Sequence, residues 1–253
     1  MSLHRPLGLL NIYNMEKVTF VLTSCGRLDL LEQTLNSFFR YNNYPIEKYI
    51  IVEDSTDPMV FEACKNLNSK FGNKLEFIFN EEKLGQTKSI DLAYSYVDTP
   101  YVFHCEDDWQ FFSRGFIQKS LSVLRSRPDI LQAWIRPKTD GMLNSIATNV
   151  FFTEDGVPFR RVMPVSFYTG RVLENGEKET VMNYMGFSFN PGLKRIKDYN
   201  ILGSGGYHVA RLEHEIDAFY RDLGFSVVSI TNNDMDGYVR HIGNDRRVEN
   251  TVH

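Results

Sequence analysis

The segment from residue 101 to residue 109 joins an apolar stretch to three consecutive carboxylates. Residues 101–105 (YVFHC) favour a buried strand, and Glu106, Asp107 and Asp108 follow directly. Adjacent carboxylates repel one another, so a cation is expected to compensate them. Mg²⁺ and Mn²⁺ prefer oxygen ligands, and one or two carboxylates together with substrate phosphates are enough to bind them. The alternative interpretation is a solvated acidic turn.

Strand and helix patterns alternate in the sequence before and within this segment. Short β-branched or apolar stretches occur at 18–23, 49–52, 75–79 and 101–105, and amphipathic stretches lie between them. This alternation predicts βαβ units and a parallel sheet, in which ligands bind beyond the carboxyl ends of the strands. Residues 24–27, the pair Glu53-Asp54 and the acidic triplet all follow strands. We therefore expect these three polar clusters to meet at one rim of the sheet.

The second half of the chain has a less regular pattern. We predict a helix over 112–124, a strand over 130–135, a helix over 207–223 and a strand over 225–230. Residues 136–206 carry Gly, Asn and Pro at short intervals and predict a loop-rich lobe. Short strands within this lobe are suggested at 151–153, 165–168 and 187–189.

Composition and charge exclude some classes of protein. The 253 residues are 42% hydrophobic and have a net charge of −4, which argues against a nucleic-acid partner. Cys25, Cys64 and Cys105 are far apart and predict free thiols in a reducing compartment. No apolar stretch reaches the roughly 18 residues of a membrane span. These features favour a cytoplasmic protein, and peripheral association with the inner face of the membrane stays open.

In their order along the chain, these motifs resemble the GT-A nucleotide-sugar glycosyltransferases, in particular the inverting enzymes of family 2. The resemblance rests on residues 18–27, on IVEDS at 51–55, on KLGQTK at 83–88 and on the acidic triplet. It implies an α/β fold with a Rossmann-like, mostly parallel central sheet flanked by helices, and a loop-rich acceptor lobe. It also implies a single domain over 1–253, in which 17–110 bind the nucleotide sugar and 111–245 the acceptor.

The resemblance implies roles for individual residues around a bound nucleotide sugar. Asp54 would accept the N3–H of the base, which favours UDP or dTDP donors, and Asp108 would be the direct ligand of Mn²⁺ or Mg²⁺. Asp107 and the late His241 would complete the metal site. The residues expected to contact the donor are Thr23, Ser24, Arg27, Asp54, Lys88 and Asp107. On its own, His241 is more readily explained as an ordinary surface or capping histidine, and only the resemblance makes a metal-binding role an equal alternative.

A second acidic motif, Glu213-His214-Glu215, resembles the helix start that carries the general base in this family. Its spacing to Gly224 places Glu213 at the base position, but Leu212 stands where an acidic residue is usual. The choice between Glu213 and Glu215 therefore stays open. Either carboxylate is also explained by the helix dipole, which stabilises acids in a first turn.

The function that the resemblance implies is metal-dependent, inverting transfer of a sugar. The donor would be a nucleoside diphosphate sugar, and the acceptor a hydroxyl of a glycan or lipid-linked saccharide, recognised by the lobe at 136–206. One alternative is a non-catalytic nucleotide-sugar- or carbohydrate-binding module, which Leu212 keeps open. Another is a sugar-phosphate nucleotidylyltransferase, although residues 24–27 lack the Gly-rich basic loop expected of such enzymes.

Overall fold

The computed structural model of the protein describes residues 15–210 and 212–243. In chain order the strands are β1 (Val18–Ser24), β2 (Lys48–Glu53), β3 (Leu75–Phe79), β4 (Tyr101–Glu106), β5 (Trp109–Phe111), β6 (Ile130–Trp134), β7 (Ile146–Phe152), β8 (Pro158–Val162), β9 (Val165–Val172), β10 (Lys178–Tyr184), β11 (Gly192–Arg195), β12 (Ser226–Ser229) and β13 (Val239–His241). The helices are α1 (Leu28–Tyr41), α2 (Pro58–Lys70), α3 (Gln86–Ser95), α4 (Phe116–Ser126), α5 (Ile196–Tyr199) and α6 (Glu213–Asp222). Two 3₁₀ turns cover Asn200–Gly205 and Tyr207–Val209.

The central sheet has the order β11-β4-β1-β2-β3. Strands β1 to β4 run parallel, whereas β11 runs antiparallel to β4. Every residue of β1 is buried, as expected for a strand that is covered on both faces. The predicted α/β fold with a mostly parallel sheet is confirmed.

Two hydrophobic cores lie on opposite faces of this sheet, because side chains alternate along each strand. Phe20 of β1 packs with Phe38 of α1 and with apolar residues of α2 and α4 on one face. Val21 packs on the other face with Ile90 of α3, Ile216 of α6 and apolar residues of the lobe. The strand ends that emerge between these two layers form the rim.

The lobe at 136–206 contains more strand than the sequence predicts. Strands β6-β12-β8-β7 form a second sheet, β9 and β10 form a hairpin, and β11 joins the central sheet. In β9, half-buried and exposed residues alternate, so no continuous apolar stretch marks it. The suggested strand at 187–189 is wrong: these residues form a buried loop between β10 and β11.

The three cysteines are free thiols, as predicted, and Cys64 and Cys105 are buried. Within residues 15–210 and 212–243, no helix is both long and apolar enough to cross a bilayer.

Candidate active site

The ends of β1, β2 and β4 lie side by side, as the sequence predicts. Ser24 pairs with Glu53 in the sheet register, and Thr23 pairs with Glu106. The Glu53 side chain shapes the turn after β1, because its Oε1 accepts the Gly26 N–H at 2.8 Å and the Ser55 N–H at 2.9 Å. Gly26 has a φ of +73°, a conformation that favours glycine. The polar clusters therefore converge on one rim.

Asp54 holds the loop between β3 and α3 against this rim. Its Oδ1 accepts Asn80 Nδ2 at 2.6 Å and the Leu84 N–H at 2.8 Å, and its Oδ2 accepts the Gly85 N–H at 2.8 Å. A carboxylate offers about four acceptor positions, so one position remains for a further donor such as a nucleotide base. These contacts between Asp54 and the loop were not predicted. Their only sequence signal is a carboxylate directly after a strand, which does not reveal its partners.

Arg27, at the N-cap of α1, is the cation that compensates the acidic triplet. Its Nη1 lies 2.8 Å from Asp108 Oδ2, and its Nε donates to Asp107 Oδ2 at 3.2 Å. Ser24 Oγ also donates to Asp107 Oδ2, at 3.0 Å. Burial raises the pKa of Asp107 to about 6, although the Arg27 guanidinium opposes this shift. The alternative of a fully solvated acidic turn is therefore wrong.

Asp108 contacts His241, although the two residues are far apart in the sequence. His241 Nε2 lies 3.2 Å from Asp108 Oδ2, because β13 pairs with β5 and sets His241 opposite Trp109. Burial opposes ionisation of Asp108, but hydrogen bonds from His241 and Arg27 outweigh it and lower the pKa of Asp108. An ionised oxygen and an imidazole nitrogen thus face each other at the rim.

This pair fits a divalent cation that is only partly coordinated by protein. In the described ranges, no three His, Cys, Asp or Glu side chains form a complete metal centre. One carboxylate and one imidazole suit Mn²⁺ or Mg²⁺ when water and substrate phosphates supply the other ligands. Arg27 and Ser24 occupy both oxygens of Asp107, whereas the contacts of Arg27 and His241 with Asp108 both fall on Oδ2, so the geometry favours Asp108 over Asp107 as direct ligand.

Glu106, the first residue of the triplet, is half-buried and makes hydrogen bonds to two side chains. Gln86 Nε2 donates to its Oε1 at 2.7 Å, and Trp109 Nε1 donates to its Oε2 at 3.4 Å. Burial raises the pKa of Glu106 to about 8, and the charges of Asp108 and Glu213 add to this effect. Gln86 was missed, since an amide at a helix start has no distinctive sequence signal.

Trp109 closes the edge of the site as a packing residue. It is 2% exposed, and its ring centroid lies 5.0 Å from that of His241. The Arg136 guanidinium also packs against Trp109 and lies 5.2 Å from the centroid of its ring. This packing fixes the position of His241 beside Asp108.

The structure separates the two candidate bases, because α6 begins at Glu213 and not at residue 207 as predicted. Glu213 Oε1 accepts the Phe189 N–H at 2.6 Å, and its Oε2 makes no hydrogen bond with a described residue. The charge of Glu213 also contributes to the raised pKa of Glu106, so the two carboxyl groups lie within electrostatic reach of each other. Glu215 is exposed and its Oε2 accepts the Leu212 N–H at 3.2 Å, which caps the helix.

Asp217, one turn after Glu213, is a further residue that sequence reasoning missed. Its carboxylate accepts the N–H groups of Met185, Gly186 and Phe187 at 2.8–3.0 Å. Residues four apart share a helix face, so Glu213 and Asp217 together bind the loop 185–189 to α6. The spacing was visible in the sequence, but the partner loop was not.

The remaining predicted donor contacts differ in position. Thr23 is 9% exposed at the end of β1, within the rim. Lys88 is exposed on α3 and makes no hydrogen bond or ion pair with a described residue. The structure therefore brings Thr23, Ser24 and Arg27 to the site. Lys88 makes no polar contact with the described residues of the site.

Comparison with protein families identifies the chain. The model described as glycosyl transferase family 2 matches residues 19–184, which is more than half of the sequence. The chain belongs to glycosyl transferase family 2. The matched region runs from β1 to β10 and includes the acidic triplet, but α6 with Glu213 and β13 with His241 lie beyond it. A search of curated protein sequences gave no match.

Two solved structures share the fold of this family 2 member. The mannosyltransferase PcManGT from Pyrobaculum calidifontis, in complex with GDP-Man and Mn²⁺, has a TM-score of 0.57 at 12% identity. Residues 1–349 of S. aureus TarS give a TM-score of 0.55 at 15% identity. Each comparison covers 91% of this chain but only 58% of PcManGT and 61% of the TarS chain. The expected GT-A fold is thereby confirmed.

Proposed function

We propose that this family 2 glycosyltransferase is a metal-dependent inverting enzyme that transfers a sugar from a nucleoside diphosphate sugar to a hydroxyl of a glycan or lipid-linked saccharide. The observation that supports the proposal is the Asp108–His241 pair at the rim, together with Glu213, whose charge reaches the neighbouring Glu106. The pair would hold a divalent cation, and Glu213 offers Oε2 to an acceptor. Family membership favours turnover over the binding-module and nucleotidylyltransferase alternatives.

The donor would lie along the ends of β1 and β2. Thr23, Ser24 and the remaining acceptor position of Asp54 suit a nucleoside, and an N3–H donor at that position favours UDP or dTDP. Arg27 lies close enough to Asp108 to meet a diphosphate at the same rim. PcManGT, which has this fold, holds GDP-Man together with Mn²⁺, and this supports a nucleotide sugar bound with a cation here.

The chemistry follows from the positions of the side chains. A divalent cation held by Asp108 and His241 would stabilise the negative charge that develops on the leaving diphosphate. The acceptor oxygen would form a bond to the anomeric carbon as the bond from that carbon to the diphosphate breaks, so that the configuration inverts. Glu213 would take the proton that the acceptor hydroxyl loses.

Binding of UDP is expected to depend on a divalent cation. Without one, the carboxylates of the triplet repel a diphosphate at close range. We expect calorimetric titration to give at least about 10-fold tighter UDP binding with Mn²⁺ than with EDTA, on the scale of one to two favourable charge contacts. GDP and dTDP, titrated in parallel, test the preference for the base. Equal affinity for UDP in EDTA would contradict the proposed metal site.

Gly243 is expected to be essential for the cation site. A Cβ on Gly243 would lie 2.6 Å from Asp108 Oδ2 and 2.7 Å from Asp108 Cβ. The change Gly243→Ala must therefore displace either Asp108 or the segment that carries His241. We expect it to weaken Mn²⁺-dependent UDP binding about 10-fold or more, measured by the same titration. An unchanged melting temperature would show that the fold is intact, and unchanged binding would contradict the assignment.

A further inference from the structure

Lys194 is a buried ammonium group that the proposed chemistry has not used. It lies on β11 with 3% of its surface exposed, and its Nζ has no hydrogen-bond partner in the part of the chain that the structure describes. The Phe187 ring lies 5.7 Å from this Nζ. Lysines are rarely buried without a partner, so this position requires an explanation.

The sheet register places Lys194 on the face that carries Glu106. Lys194 pairs with Val102 of β4, and His104 and Glu106 follow Val102 on the same face at a period of two residues. The loop 185–189, which Glu213 and Asp217 hold against α6, covers this face. Lys194 is thus enclosed between β4 and the segment held by the proposed base.

Two carboxyl groups act on this ammonium group. Burial lowers the pKa of Lys194 to about 8, and the charges of Glu213 and Glu106 oppose the shift. The effect is mutual. Burial raises the pKa of Glu213, whereas the hydrogen bond from the Phe189 N–H and the charge of Lys194 lower it. The titratable and charged groups that face Glu213 are Lys194 on β11, Arg136 after β6, Asp217 on α6, Glu106 on β4 and Tyr184 on β10.

Two cations, Arg136 and Lys194, lower the pKa of Glu213, and Arg136 has other partners. Its Nε lies 3.3 Å from Asp140 Oδ2, and its guanidinium packs on the Trp109 ring. Lys194 has neither an ion pair nor a hydrogen bond among the described residues. It is therefore the cation whose charge is available to Glu213.

We propose that Lys194 is a positioning residue for sugar transfer, whose buried ammonium keeps Glu213 in the carboxylate form with Oε2 available to the acceptor. This inference rests on the proposed role of Glu213 as base. Lys194 acts through Glu213 and does not touch the reacting atoms. Its removal should therefore change when Glu213 ionises and leave donor binding unaffected.

The test is the variant Lys194→Met, followed by ¹³C NMR of the glutamate side-chain carboxyl groups. The resonance of Glu213 is the one that Glu213→Gln lacks. We expect Lys194→Met to move the titration midpoint of this resonance upward by about one pH unit, the scale of one lost neighbouring charge. Lys194→Arg should keep the midpoint near the wild-type value. The exposed Lys197→Met, three residues farther along the chain, is the matched control and should change nothing.

Turnover gives the second readout. Because a base must be deprotonated, the acidic limb of kcat should move to higher pH by about one unit in Lys194→Met, with the donor KM unchanged. In a Glu213→Gln background, Lys194→Met should cause little further loss. Methionine removes a buried charge, so the melting temperature should equal or exceed that of the wild type.

The outcomes separate this inference from the proposed function. An unchanged Glu213 midpoint in Lys194→Met would overturn the role of Lys194, whatever the activity. Losses from Lys194→Met and Glu213→Gln that simply multiply would also overturn it. A shifted midpoint in a protein that transfers no sugar would leave the coupling of Lys194 to Glu213 in place and would contradict the proposed function.

Discussion

Glu213→Gln is expected to reduce sugar transfer by about 10²-fold or more, the scale of a positioned general base. A glutamine cannot take the acceptor proton, but its Oε1 can still accept the Phe189 N–H, so the loop 185–189 should keep its position. UDP binding in the presence of Mn²⁺ should stay close to the wild-type value, because Glu213 acts on the acceptor. Steady-state transfer and calorimetric UDP titration on the same variant measure both quantities.

Glu215→Gln is the matched control for this experiment. Glu215 is exposed and caps α6 through the Leu212 N–H, and a glutamine can retain that hydrogen bond. We expect a much smaller loss of transfer than for Glu213→Gln. An inactive Glu215→Gln beside an active Glu213→Gln would show that the base is misassigned.

Asp108→Asn is expected to have the second large effect, a loss of about 10²–10³-fold in transfer. The amide removes the negative charge that faces His241 and Arg27, and with it the strongest protein ligand for a divalent cation. Mn²⁺-dependent UDP binding should weaken in parallel. Arg27 keeps its contacts with Asp107, so the variant should remain folded.

Glu106→Gln provides the comparison within the same triplet. The pKa of Glu106 is raised to about 8, so this carboxyl group is mostly protonated and neutral at pH 7. A neutral amide of the same size should replace it with a smaller loss than Asp108→Asn. Equal losses of donor turnover in the two variants, measured at pH 7, would show that the cation ligand is misplaced within the triplet.

Local sequence patterns were sufficient for the four parallel strands of the central sheet and for most of its rim, whereas β11 was not predicted. Each of the first four strands is a short apolar segment that ends in polar residues, and parallel strands place their carboxyl ends together. The meeting of Ser24, Glu53 and Asp107 therefore followed from strand order alone. The helix and strand at 207–230 were also predicted, although the helix begins only at Glu213.

The lobe at 136–206 was less predictable because its strands are half exposed. In β7, β9 and β10, exposed residues dominate, so the apolar signal that marks a buried strand is weak there. The loop 187–189 shows the reverse error, a strand predicted where none forms. Its apolar residues suggest a strand, but Glu213 and Asp217 satisfy its N–H groups in place of a neighbouring strand.

By itself, the sequence determined the residue types at the rim and the chemistry that they favour, since these depend on short patterns within single elements. Only the tertiary structure decided which distant groups share that rim. The pairing of β13 with β5 brings His241 to Asp108, the start of α6 directs Glu213 inward and Glu215 outward, and β11 buries Lys194 among carboxyl groups. These contacts depend on long-range strand pairing and on burial, which no short segment encodes.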